Sequence, residues 1–422
     1  MEAYVIALNY AIPFFVGLIL LEIIAARMRH SDVIRSMDTL SSLSSGLTNV
    51  IKDVLGLTFI IISYQWMVDR IALIEIESSW LVYVIAFVGL DFSGYWVHRI
   101  SHKVNYFWNH HIIHHSSEEF NLGCALRQSI SNFFSISFIF MVPTALLGVP
   151  GEIIAVIAPL HLFAQYWYHT RLIGRMGILE KIIVTPSHHR VHHAINEVYL
   201  DKNLSQIFII WDKLFGTFQE ELEEEPCVYG IKRAPKTWNP IIINFQHLWL
   251  LIQDAWRTHS WLDKLRIWFM PTGWRPSDTK EKYPVEVIED VHAYQKYNPP
   301  ASTGLKTWSW IQLTFTFASM MYLFNHLSKI GFQGSLIYGA FLYLSIFSYS
   351  MLMDRKHQAW IAESFKSIIG IGLIVQTGDW FFLKEVWPDA VVFVIAYYIL
   401  TPAVALFFTR KEFAQKAQLQ SA

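Results

Sequence analysis

With 422 residues, 53% of them hydrophobic and only 16% charged, and a mean hydropathy of +0.32, the chain reads as membrane-embedded rather than soluble. A formal net charge of −1 gives no case for nucleic-acid binding. Two cysteines, Cys124 and Cys227, supply neither a disulfide framework nor a thiolate metal site.

The first apolar run, residues 4–26, is long enough for a hydrocarbon core of about 30 Å. No small-residue cleavage pattern follows it, so it is expected to stay as a helix. Arg27, Arg29 and Arg35 come after it and only Glu2 before it, which predicts an outside N-terminus and a cytoplasmic Arg27. Ser41 to Ser45 reads as a polar approach to a second, short run at 54–68. A third run, from Trp80 through Tyr95, carries the chain into His98, which the crossings deliver to the cytoplasmic face. The polar stretch from His98 to Gln128 is too charged to cross. Runs at 130–147 and 153–168, joined by a turn at Val149-Pro150-Gly151, predict a hairpin that returns the chain to the same face.

Ten of the 18 histidines fall in two windows, His98 to His115 and His188 to His193. His98 and His102 are four apart, on one face of a helix. His111, His114 and His115 follow H-x-x-H-H, and His189, His192 and His193 repeat it, a spacing expected to aim three rings at one point. Eight such histidines exceed the ligand set of a single zinc site and suit two metal ions, with Zn, Cu, Fe and Ni all compatible with imidazole. A lone histidine at a membrane is commonly an interfacial polar residue, but that does not explain two repeated boxes. His169 is either a ninth ligand or a polar cap on a run, and the deeper His161 reads as a buried polar partner. His110 and His188 point about 100° from their box neighbours and read as supporting or solvated groups.

Asp91 lies seven residues before His98, two turns along the same face. A carboxylate within an apolar run is costly, so Asp91 is expected to sit behind a metal-binding imidazole and fix its tautomer, with a structural cap as the plainer alternative. Glu118 and Glu119 read as ligands, supporting carboxylates or surface charges, and Asn121, Arg127 and Gln128 as further polar candidates.

Further on, Trp211 to Gly216 reads as a helix end with glycine at its C-cap. Glu220 to Glu225 reads as a solvated acidic loop, and the Trp-rich stretch 238–274 as amphipathic helices lying on the membrane and roofing a tunnel. Residues 275–304 read as a linker. Four apolar runs follow, at 308–327, 335–353, 361–382 and 387–408, and Arg410, Lys411 and Lys416 agree with a cytoplasmic C-terminus. Glu363, Lys366 and Asp379 predict a tilted or interfacial third run, and the four runs read as an appendage that stabilises or dimerises the chain. The expected fold is all-α and polytopic, with a histidine-rich di-metal site at the cytosolic face. Its divisions are N-terminal spans (1–80), a catalytic unit (81–220), interfacial helices and linker (221–304) and C-terminal spans (305–422).

The text DFSGYWVHR, HHSSEEFNLGCALRQS, QYWYHT, TPSHHRVHHAIN and DKNLSQIFIIWDKLFGTF, with VYGI and the P-x-G-W at 271–274, carries a resemblance. From about residue 87 to 276 the chain resembles the fatty acid hydroxylase and sterol desaturase superfamily, and within it the alkylglycerol monooxygenase family. The resemblance implies two Fe ions, O2 as co-substrate and a membrane lipid hydroxylated at its ether-linked carbon. It also implies tetrahydrobiopterin as reductant and release of a fatty aldehyde and a glycerol product. It implies ligand roles for His98, His102, His111, His114, His115, His189, His192 and His193, and matches His169 to the family's aromatic-H-T histidine. Lys103 stands where the resemblance leads one to expect Glu in the animal enzymes, Gly123-Cys124 where Ser-Thr is expected, and Leu204-Ser205 where Tyr-Gly or Tyr-Ala is usual. These departures bear on the pterin or other electron donor and on the substrate. The alternatives are a di-iron hydroxylase or desaturase for a sterol, fatty acid or carotenoid, and a metal transporter. A transporter would place its ligands near the mid-bilayer, whereas these lie past the ends of the runs. A bacterial inner membrane and an endoplasmic reticulum membrane both fit the topology.

Overall fold

A computed structural model of the chain describes residues 2–57, 62–77, 79–134 and 136–419. Among them the fold is all-helical, with isolated bridges but no strands. The helices, in order, are α1 (Glu2–Met28), α2 (Ser36–Val54), α3 (Tyr64–Ile71), α4 (Trp80–Lys103), α5 (Asn105–His115), α6 (Ser137–Phe140), α7 (Val142–Leu146) and α8 (Gly151–Phe163). Then come α9 (Pro186–His192), α10 (Ile210–Phe215), α11 (Pro240–Arg257), α12 (Trp261–Arg266) and α13 (Ser277–Lys282). The C-terminal set is α14 (Thr303–Asn325), α15 (Leu327–Met353), α16 (Ala359–Thr377), α17 (Leu383–Val386) and α18 (Ala390–Leu419). Among the described residues, five helical segments are long and apolar enough to cross a membrane: Leu8–Met28, Trp80–Lys103, Leu327–Met353, Ala359–Thr377 and Ala390–Glu412.

Among the described residues, several expected spans do not form continuous apolar helices long enough to cross a membrane. The run at 54–68 holds the end of α2 and the start of the eight-residue α3, while its residues 58–61 lie outside the described residues. The run at 130–147 breaks into α6 and α7, of four and five residues, with Pro143 at the start of α7. α8 has 13 residues, about 20 Å, and contains Pro159. The 130–168 hairpin is therefore shallow: α8 packs back along α4, and its exit delivers His169 to the end of α4 that carries His98. α14 is long enough to span but is not among the five apolar segments.

The serine-rich stretch is the larger surprise. It belongs to α2, a 19-residue helix that runs antiparallel to α15. Ser44 meets Tyr349, the Thr48 carbonyl accepts from the Tyr343 hydroxyl, and Ile51 and Leu55 lie against Gly339. Ser44 donates back to the Leu40 carbonyl and Thr48 to the Ser45 carbonyl. Such back-bonding satisfies the hydroxyls within the helix, so a sequence that looks polar packs inside an apolar bundle.

α14, α15, α16 and α18 pack around a core that includes Leu313, Tyr338, Phe341, Ile346 and Tyr398. Glu363 and Lys366 point into this core rather than to an interface: they pair with each other, and Gln312 and Ser348 bond Glu363. Residues 275–304 are not a free linker either. Arg275 forms a buried pair with Asp254, and Tyr294, Lys296 and Tyr297 are held by Glu118 and Glu119. Part of the acidic run is also tied down, Glu221 to Arg190 and Glu225 to Asn196. On α11 and α12, Trp256 and Trp261 are 85% and 79% exposed, as an interfacial surface requires.

Candidate metal centre

Four segments converge on one buried point. α4 ends in His98 and His102, α5 carries His111, His114 and His115, the chain leaving α8 supplies His169, and α9 brings His189, His192 and its C-cap His193. α9 is only seven residues long but is well started, with Pro186 in its first turn and a reciprocal cap between Thr185 and His188.

The nine imidazoles form two groups whose donor atoms lie within 4.8 Å of one another. One group is His98, His102, His111, His115 and His192, and the other is His114, His169, His189 and His193. The boxes therefore do not each aim at one point, as the spacing first suggested. In each box the i and i+4 residues, His111 with His115 and His189 with His193, share a group, while the i+3 residue serves the other. On a helix, i+4 lies about 40° from i and i+3 about 60° to the opposite side, so a box that straddles two points splits this way. The His115 and His193 rings stack at 4.4 Å where the groups meet.

Hydrogen bonds on the outer nitrogens fix the tautomers. His98 Nδ1 donates to the Leu204 carbonyl at 2.7 Å, His114 Nδ1 to that of Arg127 at 3.2 Å, His169 Nδ1 to that of Gln165 at 3.1 Å, and His192 Nδ1 to that of Lys202 at 3.0 Å. A carbonyl only accepts, so in each neutral ring Nδ1 carries the proton and Nε2 turns a lone pair inward. Yet His114 Nε2 and His169 Nε2 are 3.3 Å apart, and His98 Nε2 is 2.8 Å from His111 Nε2. The first pair has no proton to share. His102, His115 and His192 each add a buried Nε2 without a partner. Burial and neighbouring imidazoles hold His111, His115, His169, His189, His192 and His193 well below the ordinary histidine range, and burial holds His114 at about 3, so protonation does not relieve the clash. Two nitrogens at right angles on a metal, each bonded at about 2.1 Å, stand about 3.0 Å apart, which is the spacing found here. The donor set fits metal ions.

The loop that faces α4 completes the support. Asp201 and Asn203 take left-handed backbone, with φ of 57° and 52°, a conformation their short polar side chains tolerate. Asp201 accepts from His102 Nδ1 at 3.3 Å and from Lys103 Nζ at 2.6 Å. Burial pushes its carboxyl up, but those two partners outweigh it and hold the group down at about 2. Lys103 thus shares the carboxylate that orients a cage histidine. At Leu204 the contact to His98 is made by a backbone carbonyl, so that hydrogen bond does not depend on which side chain stands there. The buried Asp212 fixes this turn by accepting from the Leu204 and Ser205 N–H groups and the Thr217 hydroxyl. Asp201 and Asp212 were missed in the sequence; the one available signal was an acid inside the apolar IIWDKLF stretch. Changing Asp201 to Ala is expected to cost ten- to a hundredfold in metal retention, measured against a competing chelator.

The other predicted polar residues lie outside both groups. Asp91 does not stand behind a cage imidazole: the Leu204 carbonyl holds that place for His98. Instead it accepts from His161 Nε2, the Ile207 and Phe208 N–H groups and Trp211 Nε1, at 2.9 to 3.0 Å. Helical phase is not the reason, since seven residues turn by about 700°, only 20° short of two turns; the reason is the rise of about 10 Å that carries Asp91 along α4 away from the cage end. Glu118 is not a ligand, since it accepts from Tyr294 and the Tyr297 N–H; Glu119 is bound by Arg35, Arg171 and Lys296. Burial pushes both carboxyls up, against the pull of Tyr294 and Lys296. Asn121 joins the Val33 carbonyl to the Cys124 N–H, and Arg127 pairs with Asp38. His110 has a buried Nε2 without a partner, and His188 caps α9.

The fatty acid hydroxylase family pattern matches residues 83–217, the segment that carries all nine histidines. The human alkylglycerol monooxygenase is 34% identical over 362 residues, 85% of this chain and 80% of that protein. The chain belongs to the alkylglycerol monooxygenase family. The zebrafish (Danio rerio) member is 32% identical over 405 residues, 94% of this chain and 87% of its own. A shorter similarity, 30% over 149 residues, joins 35% of this chain to 45% of the ornithine lipid hydroxylase OlsE of Rhizobium tropici. No solved structure matches. As a member of this family the chain is an oxidoreductase, a lipid-hydroxylating monooxygenase with membrane helices.

Proposed function

We propose that the chain hydroxylates the ether-linked carbon of an alkylglycerol at a di-iron centre held by the nine cage histidines, on the cytoplasmic side of its membrane. The observation that carries this reading is the pair of imidazole groups that meet in one cage, where the His115 and His193 rings stack at 4.4 Å. R–CH2–O–R′, O2, two electrons and two protons give R–CH(OH)–O–R′ and water. The hemiacetal then breaks its C–O bond to an aldehyde and the alcohol R′–OH. A reduced pterin of the tetrahydrobiopterin type supplies the two electrons. Two iron ions bound in the cage supply the reduction of O2 and the oxidising power that breaks an unactivated C–H bond.

The protein's own part is positioning and dryness. Backbone carbonyls of residues 127, 165, 202 and 204 hold four rings in the Nδ1–H tautomer. Asp201 does the same for His102. Phe120, fully buried, stacks on His169 and contacts His189 and His193, walling one side of the cage against water. The cage lies at the end of the apolar α4, where a lipid head at the interface can reach it. Arg27, Arg29 and Arg35 beyond α1 support the cytoplasmic assignment.

The similarity to an ornithine lipid hydroxylase favours a second reading, hydroxylation of another lipid without ether cleavage. The test is turnover of an alkylglycerol by the iron-loaded chain under O2, with and without reduced pterin. Pterin-dependent aldehyde release is expected. A stable hydroxylated lipid, or O2 uptake only with a different lipid, would move the function to the second reading.

A further inference from the structure

Between α2, α11 and α15 lies an apolar groove of about 330 Å3, walled by Leu57, Ile130, Phe133, Ile241, Phe245 and Tyr343. Phe133 and Phe245 stack at 6.3 Å. Tyr343 is ten residues from the end of the α15 span, about 15 Å along the axis, so the groove reaches bilayer depth. Leu57 and Phe133 are 40% and 37% exposed, which leaves the groove open at its side.

Its one charged wall is Lys52, itself 7% exposed. Its ammonium donates to the Ser129 carbonyl at 3.0 Å and forms an ion pair with Asp53 Oδ1 at 3.3 Å, two acceptors for three protons. The wall segment that carries Ile130 touches α5 beside His110, where the Ser131 hydroxyl donates to the Asn109 carbonyl at 2.9 Å, and His110 Nε2 is buried without a partner. Asn132 Oδ1 and Gln246 Nε2, neighbours in sequence of the walls Phe133 and Phe245, are also buried and unpartnered. Buried polar atoms of this kind call for a ligand or a bridging water. His110 precedes His111 and lies one helical turn from His114, both of them cage residues.

We propose that this groove holds the alkyl chain of the ether-lipid substrate, with Lys52 and His110 hydrogen-bonding the oxygens of its glycerol head. The proposal rests on the alkylglycerol reading above. A chain that leaves lipid for an apolar groove gains little by transfer, since hydrocarbon is already apolar. The groove therefore sets position and chain length, and the polar end sets affinity.

The probe is an alkylglycerol with a diazirine at the chain terminus, photolysed with the full chain in lipid nanodiscs, both metal-free and iron-loaded. Label is expected on peptides containing residues 130–133 or 241–245, to fall with excess unlabelled alkylglycerol, and to be lost in Ile241→Trp. The same variant is expected to keep wild-type metal content and to shift the kcat/KM preference toward shorter chains by about tenfold. Lys52→Gln is expected to raise KM about tenfold with kcat and chain preference kept. Label elsewhere, label insensitive to competitor (a structural lipid), or an equal loss at every chain length would overturn the proposal. Competed label at the groove without turnover in the wild type would instead count against the ether-cleaving function alone.

Discussion

Replacing His189 with Ala is expected to leave about one metal ion per chain in place of two, and to lower lipid turnover by on the order of a thousandfold or more. His189 sits with His114, His169 and His193, with its Nε2 2.9 Å from that of His169 and 3.1 Å from that of His193. Removing it strips one group of four and leaves the group of five complete. Paired variants test the split of each box. His189→Ala with His193→Ala removes two donors from one group, so about one metal should remain. His189→Ala with His192→Ala removes one donor from each, so occupancy should fall at both sites. Elemental analysis of the purified chain reads the difference, and equal metal loss in the two double variants would mean that the boxes do not straddle two ions.

Asp91→Ala is expected to destabilise the fold by roughly 3 to 5 kcal/mol, because it leaves four buried donors unpaired. Those donors, His161, the N–H groups of Ile207 and Phe208, and Trp211, tie the loop that carries the Leu204 carbonyl to α4. The expected signature is a lower unfolding midpoint with near-normal metal content in whatever fraction stays folded. If Asp91 instead oriented a metal-binding imidazole, metal would be lost at unchanged stability.

The cage was legible in the sequence because its chemistry is local: three short motifs and one isolated histidine name all nine imidazoles. What spacing did not give is which rings share a point, since that depends on how α5 and α9 face each other. The partners of the outer nitrogens were illegible for a different reason. Most are backbone carbonyls, which leave no residue-type signal, and Asp201 reads as a surface loop acid. Hydropathy found the five long apolar segments but overcounted at 130–168, where the chain breaks into α6 and α7 at Pro143 and α8 has only 13 residues. It passed over α2 because serine hydroxyls bonded to their own helix count as polar on any scale. Glu363 and Lys366 were misplaced for a related reason: each hides its charge in the other.

The central claim is a two-metal cage made of imidazole nitrogen. X-ray absorption at the iron edge of the iron-loaded chain, with metal counted per chain, tests it most directly. The account predicts about two irons per chain, with a first shell dominated by nitrogen at about 2.1 Å and outer-shell scattering from four to five imidazoles per iron. A single iron per chain, or a first shell of carboxylate oxygen with few imidazoles, would contradict it.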